Sequence, residues 1–288
     1  MWGICAYAAC SSTLLVINKV AVTNIPSASF VLIAQFAASV LAVKVLDGVD
    51  KLGSPLEPLR MEKIKPFMGI SLLFCACLWT NVKALESANV ETVIVFRALS
   101  PIAVTLCDHY FLGRDLPSAR SWIALLCIVL GVVLYVLTDD GFEVRAYMWV
   151  CLYFISITAE MVYVKYVVEN VDMTTWDRVY YNNTLSIPPT FVLGFLFGEF
   201  DQLSSIEWDQ NQVVAILLSC VVGVGISYAG FNLRNLVSAT SFTVIGVLCK
   251  LFSVLINLLI WDKHANPLGI AALCISIFAG TFYQQTKK

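Results

Sequence analysis

The chain has 288 residues, of which 59% are hydrophobic and only 13% charged, and its mean hydropathy is +0.81. This composition excludes a disordered chain, a collagen and a disulfide-stapled secreted domain, and it favours a protein folded in a lipid bilayer. The net charge of −2 excludes the basic surface that nucleic-acid binding requires. The chain has only two histidines, and its ten cysteines all lie in apolar runs. We therefore expect neither a metal site nor a cofactor.

Ten apolar segments are long enough to cross a bilayer, which takes about 20 helical residues. Turn-forming residues separate them, such as Asn24-Ile25-Pro26 after the first and Asn266-Pro267 before the last. We therefore predict an all-α polytopic membrane protein with ten transmembrane helices. In chain order the segments are 2–23, 27–46, 66–86, 90–112, 119–138, 145–168, 176–197, 211–233, 236–260 and 267–285.

The distribution of basic residues predicts the orientation. One side of the predicted bundle carries twelve Lys or Arg residues, whereas the other carries Arg145 and Lys263, with Lys83 near a border. The positive-inside rule places the basic side, and with it both termini, in the cytosol. The twelve are Lys44, Lys51, Arg60, Lys63, Lys65, Arg114, Arg120, Lys165, Arg178, Arg234, Lys287 and Lys288.

An internal repeat divides the chain into two halves. Ser87-Ala88-Asn89 recurs as Ser238-Ala239-Thr240, and the run from Ile123 to Cys127 resembles that from Ile270 to Cys274. Segments four and five therefore match segments nine and ten. We predict two inverted five-helix repeats, residues 1–140 and 141–288, which is the arrangement of alternating-access transporters with a substrate site at the repeat interface.

Two cations lie near the middle of predicted helices. Arg97 lies about nine residues into segment four and Lys250 about fourteen into segment nine, which places both near the bilayer centre. Charges at that depth are costly, so a functional role is the first interpretation, and an anionic substrate such as a phosphate suits two cations. The alternative is an internal ion pair, for example with Glu160.

A polar stretch opens segment seven, where Asn182 and Asn183 follow two tyrosines. An amide side chain offers one acceptor and two donors, which suits the edge of a nucleobase, although interhelical hydrogen bonds would also satisfy it. Ser227 and Tyr228 form a weaker polar pair in segment eight. Gly246 precedes Lys250 by four residues and therefore shares its helix face, where a glycine lets a ligand approach the backbone.

These motifs carry a resemblance to a known family. Tyr180-Tyr181-Asn182-Asn183 is similar to the Phe-Tyr-Asn-Asn pattern, and Gly246-Val247-Leu248-Cys249-Lys250 to the Gly-Ala-Leu-Asn-Lys pattern, of nucleotide-sugar transporters. The chain resembles the GDP-sugar branch, the GDP-mannose transporter family within the drug/metabolite transporter superfamily, and in particular its plant Golgi members. The resemblance implies a Golgi antiporter, not an enzyme, that exchanges cytosolic GDP-mannose, GDP-fucose or GDP-galactose for luminal GMP.

The resemblance also implies roles for individual residues. Asn182 and Asn183 would face guanine, with Tyr181 shaping that pocket and Ser227 assisting. Lys250 would neutralise the diphosphate, and the depth of Arg97 in its predicted helix suggests that this residue helps. The remaining lining residues would be Gly246, Tyr7 and Phe242.

Two departures from the family pattern leave the sugar open. Cys249 replaces an asparagine and Val247 replaces an alanine. The sequence also leaves open whether the protein forms a homodimer. The nearest alternative function is a UDP-sugar or sugar-phosphate carrier of the same fold. A membrane-embedded transferase would need converging acid, base or metal groups, and the tight pair Asp139-Asp140 has no histidine near it.

Overall fold

The structure is a computed structural model that describes residues 2–25, 27–87, 90–137, 144–203 and 209–260, together with residues 271 and 275. Within these ranges the regular structure is entirely helical, which confirms the prediction of an all-α polytopic membrane protein. The helices are α1 (Trp2–Asn24), α2 (Ala28–Gly48), α3 (Met61–Ser87), α4 (Val90–Arg97), α5 (Ser100–Leu112), α6 (Ala119–Leu137), α7 (Val144–Asn170), α8 (Thr175–Leu196), α9 (Glu199–Leu203), α10 (Gln210–Leu236) and α11 (Ala239–Ile260).

Four helical stretches in the described ranges are long and apolar enough to cross a membrane: Ala28–Gly48, Met61–Asn81, Val144–Asn170 and Gln210–Leu236. Two shorter apolar stretches, Ala119–Gly131 and Ala239–Cys249, belong to α6 and α11. The predicted tenth segment, 267–285, falls outside the described residues except at two positions. The count of ten helices and the inverted repeats therefore remain predictions.

Segment four, which we expected as one helix over 90–112, is divided into α4 and α5. Pro101 is the physical reason, because it has no backbone N–H to donate to the carbonyl of Arg97 four residues earlier. The chain tightens there instead, and the Leu99 N–H donates to the Phe96 carbonyl at 3.0 Å. Arg97 is thereby the last residue of α4.

The chain forms two compact units, and the first comprises Met1–Cys75 and Val167–Asn235. Helices α2 and α8 pack closely within it. Glycine permits a further close approach at Gly223, where an added Cβ would lie 3.1 Å from the side chain of Gln35. The N-terminus of α2 is fixed by Glu199, whose carboxylate accepts from the Ser29 N–H at 2.7 Å and from the Ser27 hydroxyl at 3.2 Å.

The second unit comprises Ala76–Tyr166 and Leu236–Lys288. Helices α5 and α11 pack together in it. A buried apolar cluster joins α3, α4 and α7 and consists of Cys77, Ala84, Val93, Val150, Tyr153 and Ile157. Each unit thus combines residues from both halves of the sequence.

Candidate functional site

The nine residues predicted to bind substrate are divided between the two units. Five lie in the first unit, and they are Tyr7, Tyr181, Asn182, Asn183 and Ser227. Four lie in the second, and they are Arg97, Phe242, Gly246 and Lys250. The two groups are described separately below.

The side chain of Asn183 is buried and hydrogen-bonded inside the first unit. Its Nδ2 donates to the Val179 carbonyl at 2.7 Å, one helical turn earlier in α8. Its Oδ1 accepts from the hydroxyl of Ser227 on α10 at 3.5 Å. The structure therefore brings these two predicted residues together, and the interhelical bond considered as an alternative is present.

Asn182 has different surroundings, although it is the adjacent residue. Successive residues on a helix point about 100° apart, and the Asn182 side chain is half-buried where Asn183 is buried. Within the described part of the chain, its amide makes no hydrogen bond. Asn182 is therefore the member of the pair whose one acceptor and two donors can meet a ligand.

Tyr181 is fully buried, and its hydroxyl is used by the loop before α3. The hydroxyl donates to the Pro58 carbonyl at 2.5 Å and accepts from the Arg60 N–H at 2.9 Å. Its ring packs on Phe67, with the two centroids 5.7 Å apart. Because its hydroxyl is engaged, Tyr181 can shape a ligand pocket only through its ring and through the loop that it anchors.

The start of α8 is fixed by a capping box. The Thr174 hydroxyl accepts from the Asp177 N–H at 3.2 Å, and the Asp177 carboxylate accepts from the Thr174 N–H at 3.2 Å. Asp177 also accepts from the N–H of Glu57 at 2.9 Å. Helix α8 therefore starts at a defined residue, which sets the register of the asparagine pair two turns later.

Sequence reasoning missed an aromatic pair beside these residues. The rings of Trp176 on α8 and Tyr228 on α10 lie 4.3 Å apart at 34°, and both side chains are half-buried. Trp176 precedes Asn183 by seven residues, so both lie on the same face of α8. The seven-residue spacing between Trp176 and Asn183 was the feature of the sequence that could have indicated this aromatic residue.

Tyr7 is half-buried on α1 and lies against α10. A Cβ added at Gly230 would lie 3.9 Å from the Tyr7 ring, and one added at Gly225 would lie 3.3 Å from Cys10 Sγ. The added Cβ would be tight only at Gly225, so this glycine allows α1 to approach α10 closely, whereas the contact at Gly230 would have an ordinary van der Waals length.

In the second unit, α11 carries three of the predicted residues. Phe242, Gly246 and Lys250 recur every four positions, so they lie along one face of the helix. Phe242 and Gly246 are buried. The backbone of Lys250 is helical, whereas its side chain lies outside the described residues.

Arg97 is half-buried at the end of α4 and contacts a residue that the sequence did not single out. Its Nη1 donates to the hydroxyl of Tyr153 on α7 at 2.8 Å, and the Tyr153 side chain is buried. Glu160 is buried on the same face of α7, seven residues later.

A buried carboxylate fixes the beginning of α11. Asp108 on α5 accepts from the Thr240 N–H at 3.0 Å and from the Thr240 hydroxyl at 2.8 Å. The Ser238 hydroxyl accepts from the Ser241 N–H at 3.1 Å, as a helix cap does. The second copy of the repeated motif, Ser238-Ala239-Thr240, therefore starts the helix that carries Lys250.

Within the described ranges, no group of three or more His, Cys, Asp or Glu side chains could hold a metal ion. Among the residues predicted to bind substrate, the polar groups are amides and hydroxyls in the first unit and two cations in the second. Their chemistry is suited to holding a polar anionic ligand by hydrogen bonds and charge.

Comparisons with known proteins identify the family. Residues 1–137 match the model of the EamA-like transporter family. The chain is 39% identical to GDP-fucose transporter 1 of Arabidopsis thaliana, over 98% of this chain and 84% of the relative. It is 35% identical to GDP-mannose transporter GONST3 of the same plant, over 99% of this chain and 78% of the relative.

A solved crystal structure shares the fold, with a TM-score of 0.67 at 16% identity over 97% of this chain and 94% of the other. The two Arabidopsis relatives are transporters, and they match at least 98% of this chain. The protein is therefore a multi-pass membrane transporter rather than an enzyme, and it belongs to the nucleotide-sugar transporter family of the drug/metabolite transporter superfamily, on the GDP-sugar branch.

Proposed function

We propose that the protein is a Golgi antiporter that moves a GDP-sugar from the cytosol into the lumen in exchange for GMP. The observation that carries this proposal is the similarity, over nearly the whole chain, to relatives named as GDP-fucose and GDP-mannose transporters. The asparagine pair and the glycine–lysine motif are both present in the matched region.

The guanine end of the ligand is assigned to Asn182, with Asn183 and Ser227 behind it. Guanine presents two adjacent N–H donors and a carbonyl acceptor on its pairing edge. The oxygen of an amide can accept from one of these donors, and the nitrogen of the amide can donate to the carbonyl. The bonds from Asn183 to Val179 and from Ser227 to Asn183 hold the helices at this point. They support a fixed frame around Asn182.

The phosphate end is assigned to Lys250 and Arg97. A nucleoside diphosphate-sugar carries about two negative charges, and charge-assisted hydrogen bonds to cations are roughly twice as strong as neutral ones. Gly246 adds no side chain to the face of α11 that carries Lys250, and Phe242 lies along the same face. A cation held deep in a membrane segment is costly without an anion, so the empty carrier is expected to change its facing state slowly.

The slow reorientation of the empty carrier is the physical basis for exchange. If the unliganded carrier reorients slowly, net uptake requires a returning ligand, and GMP retains the guanine and one phosphate of the imported molecule. We further propose the arrangement that such exchange uses, namely ten transmembrane helices in two inverted repeats with both termini in the cytosol. The positive-inside count supports this orientation.

The proposal is tested by uptake into proteoliposomes that are empty, loaded with GMP or loaded with UMP. Labelled GDP-mannose, GDP-fucose, GDP-galactose and UDP-galactose are offered outside in separate experiments. We expect uptake of at least one GDP-sugar that depends on internal GMP, and the GDP-sugar that is taken up fastest names the substrate. Uptake of UDP-galactose only, with UMP inside, would show instead a UDP-sugar carrier of the same fold.

A further inference from the structure

We infer that Tyr153 is a positioning residue that orients the Arg97 guanidinium for phosphate. The inference rests on the proposed function insofar as Arg97 is assigned to the phosphate end of the ligand. Tyr153 belongs to no motif that the sequence analysis identified, and only the structure brings its hydroxyl to 2.8 Å from Arg97 Nη1.

The ring of Tyr153 is immobilised by its surroundings. It lies in the buried cluster of the second unit, where only 4% of the residue is exposed. Val150 and Ile157 flank it on α7, and Val93 of α4 lies in the same cluster. A side chain packed in this way keeps one rotamer, so its hydroxyl is a fixed point against which a mobile group can be held.

Arg97 needs such a fixed point because of where it lies. It is the last residue of α4, directly before the break between α4 and α5 at residues 98 and 99, and its side chain is half-buried. A long arginine side chain loses about 1.5–2 kcal/mol of rotamer freedom when it is ordered. A bond to an already rigid hydroxyl meets part of that cost before the ligand arrives, which is the general advantage of preorganisation.

The chemical type of the partner matters as much as its rigidity. A carboxylate at this position would cancel the positive charge that a phosphate requires, whereas a phenolic hydroxyl accepts a hydrogen bond and remains neutral. Tyr153 accepts from Arg97 Nη1, and this bond leaves the positive charge of the guanidinium in place.

The experiment compares Tyr153→Phe in two backgrounds, wild type and Arg97→Gln. Phenylalanine keeps the ring and its packing and removes only the hydroxyl. The matched control is Tyr163→Phe, which removes the hydroxyl of another tyrosine of α7. Tyr163 is half-buried, and its ring stacks on Tyr166 with the centroids 6.3 Å apart. GDP-sugar uptake gives KM and Vmax for each variant, and thermal unfolding of the purified proteins reports stability.

We expect Tyr153→Phe to raise KM about five- to tenfold, with Vmax within about twofold of wild type, because the bond lost is one to a charged group. In the Arg97→Gln background the same substitution should change KM by less than about twofold, since the two residues act as one unit. Tyr163→Phe should leave KM unchanged. Equal effects of Tyr153→Phe in both backgrounds would show a merely structural role and overturn the inference.

A second measurement separates this inference from the proposed function. Inorganic pyrophosphate is titrated against the purified proteins, and the concentration giving half of the thermal stabilisation is compared among the same variants. If wild type transports no GDP-sugar, the proposed function fails. The role of Tyr153 is still supported if pyrophosphate stabilises wild type and if Tyr153→Phe and Arg97→Gln weaken that stabilisation non-additively. If pyrophosphate does not stabilise wild type either, or the two effects add, the inference is overturned as well.

Discussion

Asn182 and Asn183 are adjacent in the sequence, yet their side chains have different tasks in the structure. Asn183 is buried and bonded to Val179 and Ser227, whereas the half-buried Asn182 makes no hydrogen bond within the described residues. The two positions of one motif therefore separate into a residue that holds the helices and a residue that we propose to contact guanine. Truncating each of them tests this division.

Asn183→Ala should lower the free energy of unfolding by about 1–3 kcal/mol, because it leaves a buried partner unsatisfied. Asn182→Ala should change stability by less than about 0.5 kcal/mol but weaken GMP binding about tenfold. Thermal unfolding of the purified protein, with and without GMP, measures both quantities. Asn211→Ala, at an exposed position, is the control, and an Asn182→Ala protein that binds GMP as tightly as wild type would refute the assignment.

The sequence indicated some of these residues and concealed others. Arg97, Lys250 and the asparagine pair stand out because a polar residue in an apolar run is costly and calls for an explanation. Tyr153 and Trp176 did not stand out, because tyrosine and tryptophan are ordinary residues of apolar helices. Their roles depend on which neighbour the fold brings to the ring or hydroxyl, and local sequence carries no such information.

At the scale of elements, apolar length predicted the helices well. Segments 27–46 and 145–168, for example, correspond to α2 (Ala28–Gly48) and α7 (Val144–Asn170). The division of segment four was foreseeable from Pro101, whereas the short helix α9 was not, because five residues give no periodic pattern. The start of α11 depends on Asp108, a residue 132 positions away in the chain, and pattern analysis cannot detect such a partner.

Removal of that carboxylate should destabilise the second unit. Asp108→Ala deprives the Thr240 N–H and hydroxyl of their acceptor and removes a negative charge from the N-terminus of α11. We expect a loss of about 2–3 kcal/mol in the free energy of unfolding, and about half of that loss for Asp108→Asn, which keeps an acceptor oxygen.

Thermal or denaturant unfolding of the purified protein measures this effect. Asp115→Ala is the matched control, because Asp115 is an exposed aspartate in the loop that follows α5. Equal stability of Asp108→Ala and Asp115→Ala would show that the buried carboxylate does not hold α11 in place.

At the scale of the whole molecule, the distribution of basic residues predicts cytosolic termini. A long loop bearing a glycosylation acceptor, inserted between residues 140 and 141, should be glycosylated in cells because the proposed orientation places it in the lumen. The same insertion between residues 53 and 54 should remain unmodified because the proposed orientation places it in the cytosol. Gel mobility before and after glycosidase treatment reports the glycosylation of both insertions. Modification of the second insertion alone would show that the orientation is the opposite of the predicted one.

The central claim is that the protein exchanges a GDP-sugar for GMP by means of cations held in the membrane, and counterflow tests it most directly. Proteoliposomes loaded with GMP or with UMP contain either wild type or Lys250→Ala, and uptake of each labelled GDP-sugar is followed. We expect wild-type uptake that requires internal GMP, and a reduction of at least about tenfold in Lys250→Ala, because an anionic ligand loses its charged partner. Equal uptake into empty and GMP-loaded vesicles, or full activity of Lys250→Ala, would contradict it.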